Sequence, residues 1–156
     1  MSEKKTLAIV VDDGLRRVPI ENKEGEEIGS FRFRPTDVGI VERYNNLVKN
    51  FDNVIEPLLE LDGPDGAEID VSDPRYVEAL NEATGRLRAE INRLFDSDDA
   101  ADAFFGKMNP FSPVDGAFYA GAVLEAVGTF IAQAFDAETA KLSTKVQKYA
   151  KRPGRK

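Results

Sequence analysis

FRFRPTDVGIVERYNNLVKNFDNVI, residues 31–55, joins a strand to a helix within a few residues. Phe31 and Phe33 alternate with two arginines, which is the two-residue period of a half-buried strand. Pro35 favours an extended conformation for the residue before it and ends the strand. This stretch therefore fixes the point at which the chain changes from strand to helix.

The helix that follows carries an apolar stripe at three- and four-residue steps. The stripe consists of Val41, Tyr44, Val48, Phe51 and Ile55. Thr36 or Asp37 can accept a hydrogen bond from the free amides of the first turn, and Pro57 removes a donor and ends or kinks the helix. We therefore predict a helix over residues 37–56 with this stripe on one side, packed into the core.

The residues before this stretch predict a β-hairpin over residues 15–34. Val18 and Ile20 fall on one face of the outgoing strand, and Asn22-Lys23-Glu24-Gly25 supplies the turn. A lone hairpin is marginal in water. Its strands must therefore pack on the helices, or pair with the β-prone run at residues 7–11 or with another subunit.

Three further helices follow a break at residues 62–66, where glycine and proline cluster. They are predicted over residues 74–95, 98–105 and 117–137. The first begins with an oxygen cap and a proline, and close helix packing is the expected compensation for the cost of Gly85 inside it. The last is nearly uncharged, so it is either the central helix of a bundle or has a face committed to another chain.

Together these elements predict an α+β fold, mainly α, in which the N-terminal β-hairpin packs on a bundle of about four helices. Residues 1–135 are expected to form a single globular domain, and residues 136–156 a helical extension and a basic C-terminal tail. No apolar run approaches the roughly 20 residues needed to cross a bilayer, so no membrane contact is expected. The N-terminus has no secretion signal, which favours a cytoplasmic protein.

The composition lowers the odds of enzymatic chemistry. The chain has no cysteine and no histidine, which removes disulfides, thiolate nucleophiles, the usual general base and the commonest transition-metal ligand. Helix capping explains the aspartates clustered at residues 96–102 without a metal, and the loop at residues 62–66 lacks the closing glutamate of a calcium loop. We predict no catalytic residue, no metal site and no cofactor.

The net charge of −7 is unevenly distributed. Residues 36–105 carry 17 acidic and 6 basic side chains, a balance of −11, whereas residues 136–156 carry 2 acidic and 7 basic, a balance of +5. An acidic body repels nucleic-acid phosphates and keeps a protein in solution. No nucleic acid is therefore expected as a partner.

Two parts of the sequence resemble a family of phage proteins. One is FRFRPTD, followed by VGIVERYN and preceded by VPIENKEGEEIGS, over residues 18–45; the other is FFGKMNPFSPVDGAFYAGAVLEAV, residues 104–127. Both resemble tail assembly chaperones of long-tailed (siphovirus-type) bacteriophages and prophages of Gram-positive bacteria. The resemblance extends over most of the chain, and residues 74–95 match only in helical character.

The resemblance implies a small, helical, homo-oligomeric protein that is not an enzyme. Such a chaperone binds the tape measure protein in the host bacterial cytoplasm, keeps it soluble during tail tube assembly, and is absent from the mature virion. A longer form of the same protein, made by programmed frameshifting near the end of the reading frame, is an implied second partner.

The expected client is a long amphipathic helix held in an apolar groove. Phe111 lies between two prolines, and such a rigidly held aromatic either plugs the core or is presented to a partner. With the last long helix it predicts a partner-binding surface. The predicted contact residues are Phe111, Phe118, Tyr119, Leu124, Phe130 and Phe135.

Other functions remain open at this point. The main alternative is a structural virion protein, such as a tail or head-tail completion component, whose hairpin adds strands between subunits. A carboxylate-dependent enzyme has no supporting motif. A DNA-binding regulator would have to rely on the basic tail, which gives only non-specific, salt-sensitive binding.

Overall fold

A computed structural model describes residues 6–61 and 72–150. Within them the chain forms a two-stranded hairpin, two helices, a long helix, a short helix, a second small hairpin and a final long helix. The elements are β1 Arg16–Glu21, β2 Glu27–Phe33, α1 Val38–Lys49, α2 Phe51–Leu59, α3 Pro74–Phe95, α4 Ala100–Phe105, β3 Pro113–Val114, β4 Ala117–Phe118 and α5 Tyr119–Ala150. The predicted fold class, α+β and mainly α with an N-terminal hairpin, is confirmed.

The first hairpin packs one face on the helices. Val18 lies opposite Phe31 in the register of β1 and β2, and Ile20 lies opposite Gly29. Because opposing residues share a face of an antiparallel pair, these side chains point to the same side. In the turn, the Asn22 side chain accepts hydrogen bonds from the amides of residues 24 and 26 at 2.9 and 3.0 Å.

Phenylalanine rings join this hairpin to the helices. The ring of Phe95, at the end of α3, lies 4.9 Å from that of Phe31 and 4.7 Å from that of Phe33, both in edge-to-face geometry. Phe104 in α4 adds a contact to Phe31 at 5.6 Å. Such arrangements are favourable for aromatic pairs, so the hairpin is held by the region where α3 ends and α4 begins.

The helix predicted over residues 37–56 is two helices in the structure, which is a correction. Asn50 interrupts it with φ −101° and ψ 17°, and α2 then continues through Pro57 to Leu59. Proline leaves the carbonyl four residues earlier without its helical donor. Here Arg86 of α3 donates to that carbonyl, on Asn53, at 2.8 Å, so the helix need not end at the proline.

The core face of α1 and α2 also differs from the prediction. Ile40, Leu47 and Val54 are buried at 1%, 2% and 5% exposure, whereas Val41 and Val48 are 38% and 49% exposed. Each buried residue directly precedes a member of the predicted stripe. Because both positions of each doublet are apolar, the period alone cannot choose which one faces the core.

Helix α3 is observed at the bounds predicted for it. Asp73 caps it by accepting from the Arg75 amide at 2.9 Å, with Pro74 in the first turn. Its core face includes Ala83, Leu87 and Ile91, which have no solvent exposure. The expectation for Gly85 is wrong, since a Cβ added there would meet nothing within 4 Å.

The start of the last helix is a further correction. Asp115 and Gly116 have φ of +53° and +82°, the geometry of a two-residue hairpin turn with aspartate and glycine. They connect β3 to β4, so Ala117 and Phe118 are strand residues, and α5 begins at Tyr119. Similarly, α4 begins at Ala100, two residues later than predicted.

Two sequence predictions fall outside the described residues. They are the break at residues 62–66 and the basic tail from residue 151 onward. The predicted helical extension beyond residue 137 is observed as part of α5, which runs to Ala150.

A glycine-to-alanine pair tests how closely β2 approaches α4. A Cβ on Gly29 would overlap the main-chain oxygen of Ala103, so Gly29→Ala should lower the free energy of unfolding by about 1–3 kcal/mol through forced backbone movement. The control, Gly85→Ala, adds a methyl group in open space and should raise it by up to about 1 kcal/mol. Urea denaturation followed by circular dichroism measures both, and equal effects would contradict the packing described.

A double-mutant cycle tests the role of Arg86 at the proline in α2. Arg86→Leu should cost about 0.5–1.5 kcal/mol of unfolding free energy, because the Asn53 carbonyl loses its donor. Pro57→Ala supplies an amide in its place, so the arginine replacement should cost less in that background. Strict additivity of the two changes in denaturation experiments would rule out this explanation.

Candidate partner-binding surface

The six predicted contact residues do not form one exposed surface. Phe111 and Leu124 are buried, at 5% and 9% exposure, and Phe118 is 53% exposed. Tyr119, Phe130 and Phe135 are half-buried against the core. Of the six, Phe118 alone therefore offers most of its side chain to solvent.

Phe111 fills the core, which is the first of the two alternatives left open by its sequence context. Its amide donates to the Asn109 side chain at 2.8 Å, and its ring lies edge-on to that of Phe118 at 5.9 Å. Pro110 beside it is fully buried. The connector is further fixed by the Ala120 amide, which donates to the Pro110 carbonyl at 2.7 Å. Phe111 thus lies in the core next to the β3–β4 hairpin and is not presented to a partner.

Tyr119 also has a structural position. Its hydroxyl donates to the Phe104 carbonyl at 2.9 Å, and burial raises the pKa of the Tyr119 phenol above its usual value. This hydrogen bond ties the first turn of α5 to the end of α4. Tyr119 is therefore an anchor of the long helix rather than a free contact residue.

Helix α5 is buried along one side only, so it is not the enclosed central helix that the sequence favoured. The buried side consists of Ala120, Val123, Leu124, Val127 and Ile131. The opposite side is exposed and consists mainly of small residues: Gly121, Ala122, Glu125, Thr129 and Ala132. From Asp136 to Thr144 every side chain is exposed. The second alternative, a face available to another chain, describes this helix better.

The stripe predicted for the core is instead a half-exposed apolar surface, which we name the α1–α2 stripe. It consists of Val41, Tyr44, Val48, Phe51 and Ile55, of which two are exposed and three are half-buried. The helix break at Asn50 does not interrupt its three- and four-residue spacing. Tyr44, Phe51 and Ile55 pack against the core as predicted. The prediction is wrong for Val41 and Val48, which are exposed.

The α1–α2 stripe borders α5. The Tyr44 hydroxyl donates to the Leu124 carbonyl at 2.9 Å, and a Cβ on Gly128 would overlap the Tyr44 hydroxyl. Glycine at that position lets the tyrosine ring lie against the helix backbone. A partner helix on the stripe would therefore be placed beside α5.

This geometry suits recognition of an amphipathic helix. Anchors at positions i, i+3, i+7 and i+10 on a receptor helix are the usual way in which two helices pack side by side. The stripe spans 15 residues, 41–55, and its 14 steps rise about 21 Å at 1.5 Å per residue. A client helix of about four turns would cover its length.

A polar cavity of about 840 Å³ lies between the α1–α2 pair and α3. Asn46, Asn50 and Asn53 line one side of it, and Arg86 and Arg93 the other. Arg86 pairs with Glu82 at 2.8 Å and Arg93 with Glu90, as their sequence spacing predicts. Both arginines are thus in ion pairs, and among the described residues that line this cavity no nucleophile is hydrogen-bonded to a base.

The carboxyl groups with shifted pKa values belong to exposed ion pairs. Hydrogen bonds from Arg16 hold the pKa of Asp12 well below its usual range, and Arg75 lowers the pKa of Asp73 in the same way. A lowered pKa makes a carboxylate a weaker base, so neither group is poised for proton transfer near neutral pH.

The described part of the chain also bears on metal and membrane binding. No three acidic side chains within it stand close enough together to hold a metal ion. None of its helices combines the length and the apolar character required to span a bilayer. The aspartates clustered at residues 96–102 make contacts within the protein. Asp102 pairs with Arg88, and the Ser97 side chain accepts a hydrogen bond from the Asp99 amide at 3.1 Å.

No protein family, curated protein or solved structure matches this chain. A proposal about its function therefore depends on the sequence resemblance and on the surfaces described above.

Adjacent residues of α1 test which stripe is in the core. Leu47→Ala should lower the free energy of unfolding by about 2–5 kcal/mol, because it leaves a cavity among buried side chains. Val48→Ala, one position along, should change it by no more than about 0.5 kcal/mol, as expected for surface positions. Thermal and urea unfolding measure both variants. A larger loss of unfolding free energy for Val48→Ala than for Leu47→Ala would show that the α1–α2 stripe faces the core.

Proposed function

We propose that this protein is a tail assembly chaperone of a long-tailed bacteriophage or prophage, and that it binds the tape measure protein during tail assembly and keeps it soluble. The observation that carries the proposal is the α1–α2 stripe, an apolar surface in helical register that the fold leaves half-exposed. The family resemblance of residues 18–45 and 104–127 supplies the identity of the client.

The two resembling parts of the sequence meet in the fold. Residues 18–45 form most of β1, β2 and the first turns of α1, and residues 104–127 run from the end of α4 into α5. They contact each other through the Phe31 and Phe104 rings and through the hydrogen bond from Tyr44 to the Leu124 carbonyl. A shared ancestry of these parts would therefore preserve one contiguous region, including the border between the stripe and α5.

The charge of the protein suits a carrier of apolar helices. The net charge is −7, and Glu42, Asp52 and Glu56 are exposed on the same two helices as the stripe. Acidic surface of this kind opposes association between loaded carriers. It would also attract basic residues that flank the apolar face of a client helix.

The wider role follows from the same proposal. The protein acts in the host bacterial cytoplasm, associates with itself and with a longer frameshifted form, and leaves before the virion is mature. It performs no catalysis, since its task is to cover apolar surface of another chain until assembly does so. Mass spectrometry of purified virions should fail to find it; a stoichiometric amount would instead support the alternative of a structural virion protein.

Co-expression with the tape measure protein of the same gene cluster tests client binding. Val48→Asp in the stripe should lower the amount of soluble, co-purified client at least about tenfold, because a charge in a desolvated contact costs 1.4 kcal/mol or more. Val77→Asp on α3 is the matched control, since Val48 and Val77 are both 49% exposed. It should leave capture within about twofold, in line with contacts outside a binding hot spot.

The control also separates binding from folding. Both variants should keep the circular dichroism spectrum and unfolding midpoint of the unchanged protein. Equal capture by all three proteins would show that the stripe is not the client site, and loss of capture by both variants would indicate a non-specific effect of added charge.

A further inference from the structure

Residues 7–11, LAIVV, are an apolar segment that the described fold does not cover; we name them the N-terminal segment. Leu7, Ile9, Val10 and Val11 are 100%, 97%, 92% and 75% exposed. The segment lies outside any helix or strand, although β-branched residues dominate it. An exposed β-prone run of this kind is normally paired or covered in a soluble protein.

A largely apolar groove lies between β1 and α5, and we name it the β1–α5 groove; Asp12, Arg16 and Thr36 add polar groups to one end of it. It consists of two cavities, of about 200 and 470 Å³, which share Val18 and Phe130 as lining residues. On the helix side it is lined by one stripe, Ala126, Phe130, Ala134 and Ala137. β1 pairs with β2 on one side, and no described strand pairs with its other edge.

We propose that the N-terminal segment of one copy of this protein docks in the β1–α5 groove of a second copy. Alternate side chains of a strand share a face, so Leu7, Ile9 and Val11 enter the groove together. Pro19 has no amide hydrogen, which weakens β1 as an edge for strand addition. The main attraction is therefore burial of the apolar side chains.

The lengths of segment and groove agree. Five residues of strand span about 16–17 Å at 3.3 Å per residue. The helix side of the groove, from Ala126 to Ala137, rises about 16–17 Å at 1.5 Å per residue. Charge also agrees: Lys4 and Lys5 precede the segment in the sequence, and Glu21 and Glu138 lie at opposite ends of the groove.

The bonds at the base of the segment favour a second copy over the segment's own groove. The Asp12 carboxylate accepts from the Arg16 side chain at 2.8 and 2.9 Å. The Asp13 carboxylate pairs with Arg34, whose Nε also donates to the Asp13 carbonyl at 3.2 Å. Asp12 and Arg16 are themselves part of the wall of the larger cavity. The segment before them is 75–100% exposed at Leu7, Ile9, Val10 and Val11, so it does not lie in the groove of its own chain. Each copy thus has one free segment and one free groove, and reciprocal exchange between two copies fills both.

The test uses the full purified chain alone, so failure of client binding does not affect it. Analytical ultracentrifugation should find the unchanged protein as a dimer or larger assembly. Ile9→Asp in the segment and Ala126→Arg in the groove should each raise the dissociation constant at least about 100-fold. Thr6→Asp, an equal charge change beside the segment, is the control and should leave it unchanged within about threefold, as for residues at an interface rim.

Mixing the two variants is decisive. A pair made of one Ile9→Asp copy and one Ala126→Arg copy retains one intact segment and one intact groove that match, so the mixture should associate more tightly than either variant alone. A monomeric unchanged protein, or association that Ile9→Asp does not weaken, overturns the proposal.

Disulfide trapping distinguishes exchange from a segment that folds back. The chain has no cysteine, so Ile9→Cys and Ala134→Cys placed in separate copies give a unique pair. Oxidation of the mixture should give a covalent dimer of one copy of each. When both changes are in one chain, a disulfide formed only within that chain would place the segment in its own groove and overturn the proposal.

Discussion

The contact of Phe31 and Phe33 with Phe95 is the interaction on which the rest of the structure depends. A two-stranded hairpin is at best marginally stable alone, and this one has charged residues on its outer face. The three rings lie within 5 Å of one another, centre to centre, and edge-to-face pairs contribute about 0.5–1.5 kcal/mol each beyond the area they bury. Because Phe95 ends α3 and the chain turns directly into α4, the same cluster positions both helices against the hairpin. The β1–α5 groove lies against this cluster, so its shape follows from it.

The sequence predicts a helix boundary or a buried face well where only one residue fits the local pattern, and poorly where neighbouring residues fit it equally. Helix α3 begins at an unambiguous sequence signal, Asp73 followed by Pro74, and its predicted bounds are those observed. In the structure, Asp96 ends it with φ of +51°. Helices α1 and α2 offer neighbouring apolar residues at each turn, so rotation by one residue leaves the pattern equally good. The choice is made by packing against the rest of the core, in which Ile40, Leu47 and Val54 are buried, and that information is not local. Similarly, a proline predicts the end of a helix. This prediction fails when a residue distant in sequence, here Arg86, donates a hydrogen bond to the carbonyl that the proline leaves without a donor.

The partner-binding surface was less predictable for a related reason. Apolar content indicates that a helix needs cover but does not say whether the same chain or another provides it. Phe111 and Phe118 illustrate this, since their rings contact each other at 5.9 Å, yet one is 5% and the other 53% exposed. The difference arises from the tight turn at Asp115 and Gly116, which folds β4 back over β3 and lifts Phe118 to the surface. A turn signal of aspartate followed by glycine was present in the sequence and indicates a hairpin as readily as a helix start.

The α1–α2 stripe and the N-terminal segment are both apolar, but the stripe is fixed in the fold and the segment is not. The α1–α2 stripe is half-buried and held by helices on both sides of Asn50, so it presents fixed positions suited to a rigid amphipathic helix. The large side chains of the N-terminal segment are 75–100% exposed, and its main chain must lose conformational freedom to bind, which costs roughly 1–2 kcal/mol per residue. A preformed surface can bind a passing client reversibly at low ordering cost. An extended segment of this kind offsets that ordering cost only when most of its apolar side chains become buried. A groove of equal length on an identical copy supplies this burial, with one segment for each groove.

Association through the segment leaves the stripe free, since the groove lies between α5 and β1 whereas the stripe lies along α1 and α2. The proposed self-association and the proposed client binding would therefore use separate surfaces.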